Sequence, residues 1–331
     1  MDRIRTAVVG AGHLGSHHAR IYHQLETAEL VGVLDTDLER ARECAAAYGV
    51  RAFSSLEELA GEVDAVSLAV PTDSHHELGC RLLDAGVHVL VEKPIASQPS
   101  GAAEMVKLAG EKNLVLAVGH VERFNPALVA ASGDIEDAAY VESERLAPFN
   151  PRGTEVPVVL DLMIHDIDIV LSLVRSDVTG VSAVGLPVFT GQVDIANARL
   201  EFANGAVANV SASRVSIKKV RKMRFFSPSR YVSVDMLKRS GTSYAKKPGA
   251  EISLDRDPEK IPEMRKLVVV RKLRCDKKRE PLAVELEDFL NCISSGGNPK
   301  VSGRDGLRAL EVAGRIMDAI EKSHAAGIAQ L

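Results

Sequence analysis

The chain has 331 residues, of which 46% are hydrophobic and 26% are charged, and its formal net charge is −4 at pH 7. This length exceeds the usual size of one hydrophobic core and predicts two domains, while the small net charge gives no sign of a nucleic-acid partner. No apolar run is long enough to span a membrane and the first ten residues have the pattern of a domain strand rather than a signal peptide, so we expect a cytoplasmic protein without a membrane partner.

The first predicted elements are a buried strand over 5–9, a glycine-rich loop, a helix over 13–25 and a second strand that ends at Asp35. Gly10 allows a tight turn, Gly12 lets the backbone approach a pyrophosphate, and Gly15 lets the helix pack against the strand. The helix N-terminus favours the charge of that pyrophosphate, and Asp35 is spaced to bind the ribose hydroxyls of NAD. The expected cofactor-binding residues of this segment are Gly10, Gly12, His13, Leu14, Gly15 and Asp35.

Strands and helices continue to alternate up to residue 122, which is the pattern of a doubly wound parallel sheet. The predicted strands are Asp64–Val70, His88–Val91 and Leu114–Gly119, and the predicted helices are Leu38–Tyr48, Leu56–Ala60, Ser74–Ala85 and Ser100–Glu111. In such a sheet, ligands bind beyond the carboxyl ends of the strands. Further residues at that edge are Pro71, Thr72, Glu92 and Lys93, which we expect to contact the cofactor, and His120. We therefore predict an N-terminal Rossmann domain of the α/β class over residues 1–122.

Lys93 is the candidate catalytic residue of this first domain. It follows Glu92 at the carboxyl end of a predicted parallel strand, and Pro94 restricts the conformation of the residue before it. This context suits a side chain that is held in a fixed geometry. The alternative is a surface lysine that caps a loop.

Residues 123–331 have a different pattern and predict a second, substrate-binding domain. Strand-like runs joined by turn signals such as Asn204-Gly205 dominate its middle. The runs are Ala138–Glu144, Ala196–Phe202, Ala206–Ser213, Lys222–Phe226, Tyr231–Val234 and Leu267–Leu273, and the helical segments are Leu160–Val174, Pro281–Ser294 and Gly303–Lys322. The pattern predicts an α+β fold whose mixed or antiparallel sheet has helices on one face.

The helix predicted over Leu160–Val174 carries a narrow polar stripe on an otherwise apolar surface. At about 100° per residue, Asp161, His165, Asp168 and Ser172 fall within about 60° of one another. Because so apolar a helix is expected to be buried, the stripe is expected to line a cleft, where Asp161 and His165 face a substrate hydroxyl and the carboxylate orients the imidazole. The alternative is a local Asp161–His165 pair without a catalytic role.

Several motifs taken together resemble the Gfo/Idh/MocA family of NAD(P)-dependent oxidoreductases. They are the Gly10–Gly15 loop with His18-Ala19-Arg20, Leu34–Asp37, Tyr48–Val50, Ser55–Leu59, Pro71-Thr72 with His75, Ala85–Pro94, and Asp161 with His165. The resemblance implies a Rossmann domain, a second domain with a large, mostly antiparallel open sheet used in oligomerisation, and hydride transfer between NAD or NADP and a sugar or cyclitol carbinol. It further implies that His75 contacts the cofactor, that Lys93 is the family's EKP lysine, often before a cis proline, and that Asp161 and His165 are the substrate-side acid and histidine.

One departure from the family limits what can be transferred from it. Many members carry a glycine-rich segment before the second-domain helix, and Val156–Leu160 replaces it here. Substrate details of those members are therefore not carried over.

Within the family, the tracts Gly119–Pro126, Val159–Asp168 and Lys219–Arg224 resemble the branch that oxidises UDP-N-acetylglucosamine at C3. A nucleotide-sugar diphosphate needs cations, and Arg123, Arg214 and the basic residues of 218–224 offer them. The alternative is that alternating cations mark the solvated face of a strand. The expected substrate-binding residues are Lys93, His120, Arg123, Asn125, Asp161, His165 and Arg214.

Metal binding is not expected. His13 and His17 have i,i+4 spacing, and His17-His18 and His75-His76 are adjacent pairs, but no third ligand has a clear position in the sequence. The four cysteines are far apart and without CxxC spacing, which favours reduced core thiols over disulfides or zinc.

The resulting hypothesis is an NAD-dependent dehydrogenase acting on a CH–OH group. NAD lies over Gly10–Gly15 and Asp35, and its nicotinamide faces Asp161 and His165, while Lys93 or His165 takes the hydroxyl proton. One alternative keeps the enzyme and changes the substrate to a free sugar, an inositol or another cyclic compound. Another is a catalytically silent NAD-binding sensor or regulator. We expect a homo-oligomer, either a dimer or a tetramer.

Overall fold

A computed structural model describes residues 3–135, 137–150, 154–250, 264–325 and 327. The chain divides into two compact units. The first consists of Met1–Phe124 and Arg279–Glu311, and the second of Asn125–Lys278 and Val312–Leu331.

The first unit contains, within its described residues, a six-stranded parallel sheet in the order β3-β2-β1-β4-β5-β6. Its strands are β1 (Ile4–Val9), β2 (Ala28–Leu34), β3 (Arg51–Ala52), β4 (Ala65–Leu68), β5 (His88–Glu92) and β6 (Leu116–Gly119). The intervening helices are α1 (His13–Gln24), α2 (Leu38–Ala46), α3 (Leu56–Ala60), α4 (His75–Asp84) and α5 (Pro99–Glu111). Every residue of β4 is buried, as its continuous apolar run predicts. The strand order confirms the predicted Rossmann fold.

The second unit contains an eight-stranded sheet, counted over its described residues, in the order β14-β13-β12-β11-β7-β10-β9-β8. Its strands are β7 (Tyr140–Leu146), β8 (Val178–Leu186), β9 (Ile195–Phe202), β10 (Val207–Ser213), β11 (Val220–Ser227), β12 (Arg230–Asp235), β13 (Ser240–Lys246) and β14 (Val268–Lys272). The remaining helices of the chain are α6 (Pro126–Ala131), α7 (Ile164–Val174), α8 (Met264–Leu267), α9 (Pro281–Ser295) and α10 (Gly303–Ala325). The pair β7 and β10 is parallel and the other neighbours are antiparallel, which confirms the predicted mostly antiparallel α+β domain.

In the part of the chain that is described, no helix has the length and apolar character needed to cross a membrane.

The segment Arg279–Glu311 belongs to the first unit, whereas the sequence-based boundary assigned everything after residue 122 to the second domain. The reason is the packing of α9, whose Leu286, Phe289 and Leu290 are buried in the same hydrophobic cluster as Val8 and Tyr22. The periodicity of α9 shows that it has an apolar face but not which sheet that face covers.

Candidate active site

The loop between β1 and α1 has the geometry that its glycines predict. Gly10 has a φ of 97°, which side chains disfavour, and a Cβ there would lie 2.4 Å from the carbonyl oxygen of Ala69. A Cβ on Gly15 would lie 1.7 Å from the carbonyl oxygen of Gly10, so glycine is needed for α1 to pack against the end of β1. At Gly12, in contrast, a Cβ would meet nothing within 4 Å. The start of α1 therefore has free space beside its backbone, as a pyrophosphate site requires.

This space is part of a cavity of about 980 Å³ in the first unit. Six predicted cofactor residues line it, namely Gly10, Gly12, His13, Leu14, Asp35 and Pro71. Its walls also include residues that sequence reasoning missed, among them Arg40, Ser54, Ser55, Leu78 and Arg81. The predicted residues Gly15, Thr72, His75, Glu92 and Lys93 are not among those lining it. A cavity of this size, with a helix N-terminus and a carboxylate in its walls, fits a dinucleotide.

The carboxylate of Asp35 is held in place at this cavity by backbone groups. Its Oδ2 accepts a hydrogen bond from the amide of Ala11 at 2.7 Å and its Oδ1 accepts one from the amide of Asp37 at 2.8 Å. The guanidinium of Arg40 is 3.7 Å from Oδ1, and the Asp35 side chain is 8% exposed. Asp35 therefore couples the glycine loop to the end of β2, which is the position from which a carboxylate binds a cofactor ribose.

Lys93 follows the last residue of β5 and is half-buried, and the Lys93–Pro94 peptide bond is cis. The side chain of Glu92 beside it is buried, and its Oε2 accepts a hydrogen bond from the amide of Lys93 at 3.3 Å. Burial alone would raise the pKa of Glu92, but the hydrogen bond from His18 and the charge of Lys93 bring this pKa below its usual value. Glu92 is thus a buried carboxylate directly behind the candidate catalytic lysine.

A chain of buried hydrogen bonds extends from Glu92 into the core. His18 Nε2 lies 3.0 Å from Glu92 Oε1, His18 Nδ1 lies 2.9 Å from Ser67 Oγ, and Tyr22 Oη lies 2.8 Å from the same Ser67 oxygen. Burial raises the pKa of Tyr22, so its hydroxyl stays protonated. Sequence reasoning missed this chain, although the i,i+4 spacing of His18 and Tyr22 on the buried face of α1 is the signal that shows it.

His120, at the end of β6, lies within the electrostatic influence of Lys93. Burial and then the positive charges of Lys93 and Arg123 lower the pKa of His120 to about 3. Its imidazole is 1% exposed and is therefore neutral at physiological pH. The structure thus brings together three of the predicted substrate-binding residues, while their contact with a substrate stays a prediction.

The neutral state of His120 predicts a loss of stability in mild acid. Because the pKa of His120 is about 3 in the folded protein and near 6.5 when unfolded, the unfolded state binds more protons between these values. The contribution of His120 to the free energy of unfolding is complete above pH 6.5. It falls as the pH is lowered, by on the order of 2–3 kcal/mol at pH 4.5. Urea unfolding of the wild type and His120→Gln between pH 4.5 and 7.5 measures it, and the variant should show the weaker pH dependence.

The matched control for this measurement is His23→Gln, since His23 is an exposed histidine of α1. This variant should keep the pH dependence of the wild type. An unchanged pH dependence in His120→Gln would contradict the assignment of a neutral, buried His120.

His75 is buried and links two backbone segments of the first unit. It is 1% exposed, and its ring nitrogens lie 2.8 Å from the carbonyl oxygen of Pro94 and 2.9 Å from that of Val70. Burial lowers the pKa of His75, so the neutral ring donates to one of the two carbonyls. The ring joins the chain after β4 to the cis proline and thereby supports the backbone beside Lys93.

In the second unit, Asp161 lies in a π-helical turn, Val159–Met163, that leads directly into α7. His165 is the second residue of α7, and both side chains are half-buried, whereas Ile164 and Ile167 are fully buried. The predicted helix over 160–174 thus begins with a π turn, a feature that is frequent at functional sites. Of the other stripe residues, Asp168 is buried and the hydroxyl of Ser172 donates to the carbonyl of Ile169.

A buried ion pair that sequence reasoning missed holds α7 to the sheet. The guanidinium of Arg145 on β7 contacts both carboxylate oxygens of Asp166, at 2.7 and 3.1 Å, and both side chains are nearly inaccessible. Removing one partner of such a pair leaves a buried charge and is strongly destabilising. The pair therefore fixes the rotation of α7, and with it the positions of Asp161 and His165.

Two predicted substrate-binding residues, Asn125 and Arg214, have structural surroundings instead. Asn125 caps α6 by accepting a hydrogen bond from the amide of Ala127, and its side-chain amide donates to the carbonyl of Met236. The guanidinium of Arg214 is 5% exposed and lies 3.7 Å from the buried carboxylate of Asp194. These contacts hold elements of the second unit together, and a contact of either residue with substrate stays a prediction.

A Rossmann sheet whose glycine loop and acidic residue border one cavity, with a lysine at the end of a neighbouring strand, defines a nicotinamide-dependent oxidoreductase. Two family profiles match the chain. They are the oxidoreductase family with an NAD-binding Rossmann fold, over residues 4–120, and the GFO/IDH/MocA C-terminal domain, over residues 131–226. The chain belongs to the Gfo/Idh/MocA family, and it is an NAD-dependent dehydrogenase.

Relatives in this family resemble the chain along its whole length. The UDP-N-acetylglucosamine 3-dehydrogenase of Acidithiobacillus ferrooxidans is 39% identical over 322 residues, which cover 97% of this chain and 98% of that protein. A solved structure of that dehydrogenase superposes with a TM-score of 0.87 at 38% identity, over 97% of this chain and 99% of the other. The inositol 2-dehydrogenase of Rhizobium meliloti is 26% identical over 353 residues, or 98% of this chain and 99% of that protein.

Proposed function

We propose that this enzyme oxidises the C3 hydroxyl of UDP-N-acetylglucosamine with NAD and releases the 3-keto sugar nucleotide in the cytoplasm. The observation that carries the proposal is the 39% identity with a UDP-N-acetylglucosamine 3-dehydrogenase along nearly all of both chains. The 26% identity with an inositol 2-dehydrogenase supports the alternative of an unphosphorylated cyclic substrate more weakly.

The cofactor would be held by the cavity of the first unit. The amides at the start of α1, beside Gly10 and Gly12, would bind the pyrophosphate, and Asp35 would accept hydrogen bonds from the adenosine ribose. When bound, NAD supplies the acceptor for the hydride that leaves the carbinol carbon.

Proton transfer would be the task of Lys93, Asp161 and His165. Lys93 or His165 accepts the proton of the substrate hydroxyl, and Asp161, four residues before His165, orients the imidazole. The buried Glu92 accepts a hydrogen bond from the amide of Lys93, while the Arg145–Asp166 pair fixes the helix that carries His165. Each proton-transferring group is thus supported by a buried carboxylate.

The substrate diphosphate would be bound by a smaller set of cations than the sequence suggested. Arg224 lies 3.2 Å from Glu142 and 3.6 Å from Glu144 across the sheet, so its charge is already balanced. Lys218 and Lys219 are exposed in the turn before β11. We therefore assign the diphosphate to Lys218 and Lys219.

The substrate assignment is tested by turnover with NAD on UDP-N-acetylglucosamine, free N-acetylglucosamine and inositols. Binding energy from the UDP group positions C3, so the free sugar should show both lower turnover and a higher KM. Mass spectrometry should detect the keto product, and substrate deuterated at C3 should lose its label to the cofactor. Comparable activity on the free sugar, or loss of hydrogen from another carbon, would assign the enzyme to another branch of the family.

A charge-reversal pair tests the cation assignment separately. The double variant Lys218→Glu/Lys219→Glu should raise the KM for the UDP-sugar more than the KM for NAD. The reason is that the two lysines are assigned to the diphosphate of the UDP-sugar and not to the pyrophosphate of NAD. Lys272→Glu is the matched control, since Lys272 is an exposed lysine of the edge strand β14. Equal effects of the two changes would contradict the assignment.

We also propose that the second sheet carries the contact of a homo-oligomer. Neighbouring strands align four half-exposed rings with centroids 4.8–5.5 Å apart, belonging to Tyr140, Phe226, Tyr231 and Tyr244. Aromatic side chains are enriched in the buried centre of protein interfaces. Light scattering of the purified enzyme measures its mass, and a dimer or tetramer is the expected result.

A further inference from the structure

Three side chains of the first unit bring metal-binding atoms together on two neighbouring helices. They are His76 and Cys80 of α4 and Glu104 of α5, and one ligand atom from each lies within 4.8 Å of the other two. His76 and Cys80 are four residues apart and share one face of α4. Glu104 reaches the same point from α5, with its Oε2 2.8 Å from Nε2 of His76. The sequence offered no third ligand for a histidine at this position, and the packing of α5 on α4 supplies it.

The backbone of α5 holds the histidine ring closely. A Cβ on Gly101 would lie 2.9 Å from Cγ of His76, so a larger residue at 101 would displace the ring. His76 therefore lies in a groove that glycine leaves open, and Glu104 extends from the next turn of the same helix. Ligands presented by packed helices are held more accurately than ligands on loops.

The donor set selects a class of ion. Imidazole nitrogen, thiolate sulfur and carboxylate oxygen are the ligands of Zn²⁺, whereas Mg²⁺ and Ca²⁺ prefer oxygen alone. We propose that His76, Cys80 and Glu104 bind Zn²⁺, or a transition-metal ion of similar preference, with water in the fourth position.

Metal binding requires only small movements of the three ligand side chains. Bonds of about 2.0–2.3 Å around a tetrahedral ion bring its ligand atoms to within about 4 Å of one another. The side chains of His76 and Glu104 are 41% and 64% exposed and have the rotamer freedom to close the remaining distance. A bound metal would displace the proton of the Cys80 thiol into solvent, because the thiolate is the form that binds metal.

The site is separate from the cofactor cavity but shares a helix with it. Leu78 and Arg81 of α4 line that cavity, and at about 100° per residue they lie on the face of α4 opposite His76 and Cys80. Metal binding is therefore compatible with bound NAD, and it would fix α4 against α5 beneath the cofactor site.

The test uses full-length protein treated with chelator and then titrated with Co²⁺, and with Zn²⁺ against a chromophoric chelator. The wild type should bind one equivalent and show a thiolate-to-Co²⁺ charge-transfer absorption, which Cys80→Ser should abolish. Loss of an outer-sphere partner lowers metal affinity by about tenfold or more. His76→Gln and Glu104→Gln each remove a direct ligand, so each should weaken Zn²⁺ binding by at least that factor. Unchanged NAD affinity shows that each variant remains folded.

Two control variants separate this site from other candidate ligands. Cys44→Ser removes another half-buried free thiol, and His17→Gln breaks the His13–His17 pair, whose rings are 4.8 Å apart. Both controls should bind metal as the wild type does. The proposal is overturned if the wild type does not bind one equivalent of metal ion, or if Cys80→Ser keeps the charge-transfer absorption of Co²⁺. It is also overturned if, among the variants, His17→Gln alone abolishes metal binding.

Discussion

Replacing Lys93 with methionine is expected to lower turnover by about two to four decades, the range typical for loss of a positioned acid–base group. Methionine keeps the length of the side chain and removes the ammonium group, so packing near β5 is preserved. The affinity for NAD should change little, because Lys93 is not among the residues that line the cofactor cavity. Steady-state turnover and a separate NAD titration measure the two quantities.

The matched control is Lys107→Met, which removes an exposed lysine of α5 whose ammonium group lies 3.7 Å from the carboxylate of Glu111. It should leave turnover near the wild-type value. His165→Ala should resemble Lys93→Met if the imidazole transfers the proton, and Asp161→Asn should be milder if its role is orientation. Turnover near the wild-type value in both Lys93→Met and His165→Ala would refute the mechanism and favour an NAD-binding sensor.

Asp35 is expected to make the enzyme prefer NAD to NADP by about two to three decades. The 2′-phosphate of NADP would lie near the Asp35 carboxylate, and two like charges about 4 Å apart at an effective dielectric near 20 repel by on the order of 4 kcal/mol. Arg40, whose guanidinium is 3.7 Å from the same carboxylate, offsets part of this repulsion. Titration with both cofactors measures the ratio.

Asp35→Asn should reduce that preference by at least about tenfold, because it removes the charge and keeps an oxygen for the amide of Ala11. Glu43→Gln is the control, since it neutralises an exposed carboxylate on the adjoining helix α2. Equal or tighter binding of NADP by the wild type would refute the role of Asp35.

The sequence by itself determined the features that depend on local spacing. Glycines at 10, 12 and 15, Asp35 at the end of the next strand, and the alternation of strands and helices predict the Rossmann sheet and its cofactor edge. Each of these signals lies within a few tens of residues, where backbone sterics and hydrophobic periodicity act directly. The same kind of signal places Asp161 and His165 on one helix and Lys93 at a strand end.

Only the tertiary structure decided which distant residues meet. The hydrogen bonds from His18 to Ser67 and Glu92 join residues 49 and 74 positions apart, and α9 joins the first unit from a position far along the chain. Asn125 and Arg214 are predicted from sequence to bind substrate, and only the packing shows that their side chains also lie against Ala127 and Asp194. Periodicity shows that a residue is on a buried or polar face, whereas its partner depends on how elements pack. For that reason the core of the fold followed from sequence, and the buried networks behind the candidate catalytic residues did not.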